Sequence, residues 1–180
     1  METHEARVAR TRGAYREAHG RLVQRLRGAA ADVASRRPPD GGWSVAQIGW
    51  HVAAVDATFA ALLSGERPSE RLPDGFHDRQ WSDIVANIPE KLEATGPVVP
   101  PSGVTIEAAL AALEESAAKI ERALTVLTPE RGARYGITHR IVGTITLYQV
   151  GEWAVAHTIR HNAHAKRVLS SLAASPSGGA

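Results

Sequence analysis

Residues 154–168 read AVAHTIRHNAHAKRV, so His157, His161 and His164 fall within eight residues of a chain that holds eight histidines in 180. On an α-helix each residue turns about 100°, which brings positions i, i+4 and i+7 within roughly 60° of one another. Extended backwards, the histidine stripe takes in Val150, Trp153 and Ala154; extended forwards, it takes in Val168. Lys166 falls on the opposite face. The segment therefore predicts a long helix whose imidazoles lie on the buried side, and such a helix needs apolar partners to cover it.

Three partners can be read in the rest of the chain. A first helix is expected over about residues 4–34, with Val8, Tyr15, Leu22, Leu26 and Val33 at helical spacing, ending at SRRPPDGG (35–42). A second opens at WSVAQIGWH (43–51), where Ser44 and Gln47 have capping-box spacing and Trp43 and Ile48 are placed as a hydrophobic staple. Its stripe is Ile48, Val52, Val55, Phe59, Leu62 and Leu63, and SGERP (64–68) ends it. A third is expected over about Thr105–Leu127, with Ile106, Leu110, Leu113, Ile120, Leu124 and Leu127 on one face and Pro129 marking its end. The histidine helix is the fourth, opening near Thr146 and Gln149, again at capping-box spacing, and running to about Leu172.

Residues 65–103 form a long connection between helices two and three, with a short helix expected around HDRQWSDIVANI (77–88). A connection of that length can cross the end or side of a bundle and shape a pocket. YGITHRIVGTI (135–145) alternates as a strand does, but it is short, and neither a series of strands nor an internal repeat is evident. The expected fold is all-α, a four-helix bundle occupying a single domain over residues 1–172, followed by a disordered tail at 173–180.

Composition narrows the function classes. With 43% hydrophobic and 22% charged residues the chain falls in the soluble globular range. A formal net charge of +2 is too weak a bias to argue for nucleic acid. The N-terminus lacks the apolar core of a signal peptide and no apolar run reads as long enough to span a bilayer, so no membrane association is expected. The absence of cysteine rules out a disulfide, a thiolate metal ligand and a cysteine nucleophile, and fits a cytoplasmic location. HExxH and GxSxG motifs are absent, as is a phosphate-binding glycine loop.

The histidines carry the chemistry. His51 lies between Ile48 and Val55 at the margin of the second helix's apolar stripe, where it can meet His157 and His161 across a bundle interior. Two histidines at i, i+4 and one from a facing helix can supply three nitrogens to a metal, leaving a fourth position for water as catalytic zinc sites do. The competing interpretation is a buried, hydrogen-bonded histidine cluster without metal. His164, Glu152, Asp56 and His19 are candidates for proton transfer or for supporting the ligands, though each is also readable as an ordinary surface or first-turn polar residue. Trp50, Trp81 and Trp153 either line a pocket or fill the core.

Two segments, WSVAQIGWHVAAVDATFAALLSGE (43–66) and GTITLYQVGEWAVAHTIRHNAHAKRVL (143–169), resemble the DinB-like superfamily, which includes the YfiT-type metal-dependent hydrolases. The first matches the family's capped second helix with its histidine, His51. The second matches the entry Gly143–Thr146 and the His-x-x-x-His helix with His157 and His161. The resemblance implies a four-helix bundle of down-up connectivity, often dimeric. It also implies a divalent metal, commonly zinc or nickel, held by His51, His157 and His161. The implied activity is that of a thiol-dependent S-transferase or a hydrolase acting on a small electrophilic substrate, with a low-molecular-weight thiol as co-substrate. Where many members carry glutamine three residues after the last ligand, this chain has His164, which is a candidate catalytic base, a support for the ligands or a competing ligand. The alternative function is a non-catalytic helical bundle, a stress-response or dimerisation module with a buried histidine cluster and no metal.

Overall fold

Each long helix begins at a side-chain oxygen that takes up an otherwise unpaired backbone N–H. In the computed structural model, which describes residues 2–86, 88–89 and 93–174, Thr3 caps α1 (His4–Arg27) by accepting from the Ala6 N–H. Ser44 caps α3 (Val45–Ser64) with the full capping box: its hydroxyl accepts from the Gln47 N–H, and the Gln47 side chain accepts from the Ser44 N–H. Thr105 caps α5 (Ile106–Val126). Thr146 accepts from the Gln149 N–H at the start of α7 (Leu147–Ala174). Only half of the box expected there forms. The Gln149 amide is taken instead by the Arg79 backbone, donating to its carbonyl at 2.8 Å and accepting from its N–H at 3.4 Å.

Short elements complete the described residues. The helix expected over 4–34 is interrupted: α1 ends at Gly28, Ala30 is extended, and α2 (Ala31–Ser35) sets off in a new direction that buries Ala34 completely. Pro129 ends nothing by itself; α5 stops at Val126, and Pro129 opens α6 (Pro129–Arg134) under a Thr128 cap, where a missing N–H costs nothing. The short helix expected at 77–88 forms as α4 (Trp81–Val85).

The all-α expectation needs one correction. A small antiparallel sheet joins β1 (Glu70–Arg71), β2 (Tyr135–His139) and β3 (Gly143–Thr146) in that order, with Gly136 opposite Thr146 and His139 opposite Gly143. The alternation in 135–145 is thus a hairpin, and the long connection supplies its third strand. The chain remains mostly helical. Of the segment expected to be a disordered tail, residues 173 and 174 continue α7; residues 175–180 lie outside the described part.

Contacts between side chains give the helix directions. His4 meets Tyr148 and Arg25 meets Asn162, so α1 and α7 run parallel. His51 meets His161 while Phe59 meets Trp153, so α3 and α7 run antiparallel. Gly49 of α3 lies against Ala109 and Leu113 near the start of α5, so those two run parallel. A parallel neighbour can be reached only by returning the length of the helix, about 30 Å for twenty residues. That return is the physical reason for the connection at 65–103. It is fastened to the start of α7: Asp78 accepts from Arg7 and from Thr146 (2.7 Å), and the Trp81 indole donates to Glu152.

The interior divides into two apolar clusters. One gathers Tyr15, Phe59, Leu63, Ile120, Leu124, Ile145, Leu147, Val150 and Ala154; the other gathers Leu22, Leu26, Ile48, Val52, Ala109, Leu113, Ala165 and Val168. α3 is apolar and long enough to cross a membrane by length and composition, contrary to the expectation that no such run exists. Its apolar stretch is 67% buried against the other helices. Gly49 lets Leu26 of α1 pack against α3: a Cβ there would run into the Leu26 side chain, while Ala109 and Leu113 of α5 would stand in ordinary contact.

Candidate metal centre

Along α3 the chain passes from Val52 in one apolar cluster to Phe59 in the other; along α7 it passes from Ala154 to Ala165. His157 and His161 fall within that interval of α7, and His51 stands just before it on α3. One potential ligand nitrogen from each lies within 4.8 Å of the other two. Ring centroids are 5.2 Å apart for His51–His157, 4.7 Å for His51–His161 and 4.4 Å for His157–His161. The i, i+4 spacing on α7 and the antiparallel approach of α3 are together sufficient to produce this convergence. His51 is buried, and His157 and His161 are largely buried.

The tautomer of His51 is fixed. Its Nδ1 lies 2.8 Å from the Val98 carbonyl oxygen, which can only accept, so Nδ1 carries the proton and Nε2 keeps its lone pair. Trp43 packs on the same ring at 4.7 Å, tilted by 45°, a contact beyond the staple read from sequence. His157 and His161 differ: their Nδ1 atoms are sealed from solvent and have no hydrogen-bond partner among the described residues. A buried polar atom left unpaired costs about 1–3 kcal/mol.

Protonation offers no relief. Burial lowers the pKa of all three rings; His157 falls to about 3, pushed further by His51 and Arg160, and His161 is lowered by burial and by the neighbouring imidazoles. At neutral pH the cluster is three uncharged imidazoles facing one another. That donor set matches what a borderline divalent cation takes, and a cation accepting lone pairs compensates buried imidazoles that protons do not.

His164 lies alongside, with its ring 6.0 Å from His161, half-buried and outside the three-nitrogen group. Burial, then Arg167, lowers its pKa, partly opposed by Asp40. The other sequence candidates are drawn elsewhere. Glu152 receives hydrogen bonds from Arg7 (2.9 Å), Arg10 (3.0 Å) and the Trp81 indole (2.9 Å), so it fastens α1 and α4 to α7. His19 pairs its Nε2 with the Leu113 carbonyl at 3.1 Å, tying α1 to α5. Asp56 turns toward α1, fully buried, accepting from the Tyr15 hydroxyl at 2.7 Å. Burial pushes its carboxyl up to about 7 against the opposing effect of that bond.

Sequence reasoning missed two groups near the centre. One is the Val98 carbonyl, which no side-chain motif could announce. The other is His139 of β2, whose ring lies 5.0 Å from Trp153. Trp153 in turn packs 4.9 Å from Phe59, which meets His157 edge-on at 6.3 Å. A line of aromatic rings thus leads from the histidine group to the hairpin. Trp50 packs on the second apolar cluster and Trp153 on the first. Two surface recesses, one beside Arg67 and Arg131 and one beside Arg37 and Ser102, are lined by none of the histidines.

No curated protein matches the chain. Among solved structures, a conserved protein from Enterococcus faecalis superposes with a TM-score of 0.62 at 16% identity, covering 92% of this chain and 96% of that one. At that identity the likeness is one of fold. The sequence profile of the DinB superfamily matches residues 14–165, a span that contains all three converging histidines, α3 and α5 entire, the later part of α1 and α7 as far as Ala165. By that match the chain belongs to the DinB superfamily.

Proposed function

We propose that the chain is a metal-dependent enzyme in which His51, His157 and His161 hold a divalent cation, zinc or nickel. The observation that carries this reading is the convergence of three neutral imidazoles, two of them with sealed, unpartnered nitrogens, on one point between two apolar clusters. A cation bound there would act as a Lewis acid, lowering the pKa of water or of a thiol in its open position. Of the chain's own groups, His51 is pre-set to offer Nε2. His164, kept neutral beside the group, would take up a proton as a catalytic base. Phe59, Trp153 and His139 offer an aromatic wall to a substrate approaching from the hairpin side.

The reaction class that suits these parts is thiol transfer or hydrolysis on a small electrophilic molecule. A low-molecular-weight thiol is the natural co-substrate, because the chain has no cysteine of its own. We read the four long helices as a single four-helix bundle domain with two parallel pairs, working in the cytoplasm and able to form a homodimer, with neither nucleic acid nor membrane as partner.

Metal analysis of untagged protein tests the assignment. About one zinc or nickel per chain is expected, collapsing in a His51→Ala/His161→Ala variant, with Tm rising on added metal by mass action. Less than about a tenth of a metal per chain, unchanged in that variant, would leave the non-catalytic histidine cluster as the correct account.

A further inference from the structure

We infer that the segment Gly96–Pro101 is an orienting clamp for the metal centre, with the Val98 carbonyl as the group that fixes His51 from outside its helix. The inference rests on the metal reading above. Gln47 and His51 lie one turn apart on the same face of α3, and both bind backbone carbonyls of this segment: Gln47 Nε2 donates to Pro101 at 3.0 Å and His51 Nδ1 donates to Val98 at 2.8 Å. The connection is therefore laid along α3 on two rungs, and one of the rungs is a candidate ligand. Trp43 packs on the His51 ring at 4.7 Å, so the imidazole is held by a hydrogen bond and by an aromatic ring. A histidine ligand held through its other nitrogen has its tautomer and ring orientation set before the metal arrives.

The direction of the Val98 carbonyl is set by a 3-10 turn, Gly96–Val98, closed by the Val99 N–H donating to the Gly96 carbonyl at 3.2 Å. Gly96 begins that turn at φ +67°, in the left-handed region that β-branched residues avoid. A Cβ there would meet nothing within 4 Å. Substitution at Gly96 thus perturbs the turn through its torsion alone, without a clash. Val98 acts through His51 and is a positioning group.

Gly96→Val, Gly96→Asn and Gly75→Val separate the clamp from general loop stability. Asparagine tolerates the left-handed conformation. Gly75 lies in the same connection at φ +82° with nothing near its Cβ, and no hydrogen bond links it to His51. Zinc affinity is measured on the metal-free full chain by competition with a chromophoric chelator. Gly96→Val is expected to bind about 10- to 100-fold more weakly, the size of effect that loss of an outer partner has on a histidine ligand. Gly96→Asn and Gly75→Val are expected to stay within about threefold of the parent, although Gly75→Val lowers Tm. Equal losses in Gly96→Val and Gly75→Val, or none in Gly96→Val, would overturn the clamp while leaving the metal reading intact. A second readout needs no metal: imidazole nitrogen NMR should show His51 as the Nδ1–H tautomer in the parent and a tautomer mixture in Gly96→Val. A parent that binds no zinc overturns the metal reading, and an Nε2–H tautomer in the parent overturns the clamp independently.

Discussion

Replacing Asp56 by asparagine should make the protein more stable, and more so as pH rises. The Asp56 carboxyl is fully buried, one oxygen accepts from Tyr15, and the other has no partner among the described residues. Burial raises its pKa from an ordinary 3.8 to about 7. The folded state therefore holds a proton that the unfolded chain has lost, so stability falls as pH rises between the two values and levels off above the folded one. A shift of that size corresponds to about 4 kcal/mol of lost stability, of which about 2.5 kcal/mol falls between pH 5 and pH 8. Asparagine keeps the shape and an acceptor for Tyr15 but cannot ionise. In urea denaturation of parent and Asp56→Asn across that range, the stability difference should widen by about 2 to 3 kcal/mol in favour of the variant. The buried histidines have depressed pKa values, so their contribution is present above about pH 6.5 and lost as pH falls below it; being common to both proteins, it cancels. A difference that does not change with pH would refute the assignment of a protonated Asp56.

Other substitutions test the fold and the site separately. Glu152→Ala removes the acceptor shared by Arg7, Arg10 and Trp81 and should cost about 2–3 kcal/mol in denaturant melts while metal content stays unchanged. Gly49→Ala places a Cβ into Leu26 where α3 meets α1 and should destabilise by about 1–3 kcal/mol, read as a drop in Tm. His164→Gln should keep its metal, because His164 stands outside the three-nitrogen group. Its turnover should fall by about 10²- to 10⁴-fold once a substrate is in hand, the usual worth of a positioned base.

The parts that could be read from sequence are those encoded locally. Ser44 with Gln47 announced α3, and the periodic stripes of α3, α5 and α7 announced the buried faces, because capping and burial act over three or four residues. The histidine group was legible because His157 and His161 must share a face, and His51 sits on a helix that must pack somewhere. Features built from distant backbone were hidden. β1 and β2 lie more than sixty residues apart in sequence, so nothing local marks their pairing. Gln149 has the spacing of a cap yet serves the Arg79 backbone, and Glu152 has the position of a first-turn acid yet gathers two arginines and an indole. The break after Arg27 escaped notice because Ala and Val continue the helical pattern through it.

The most direct test of the metal assignment is an anomalous difference map from a crystal of untagged protein, collected at the zinc or nickel absorption edge. The account requires one strong peak about 2.0–2.1 Å from a nitrogen of each of His51, His157 and His161, with His51 contributing Nε2 while its Nδ1 remains on the Val98 carbonyl. Well-ordered imidazoles without a peak between them, in protein supplied with both metals, would contradict it.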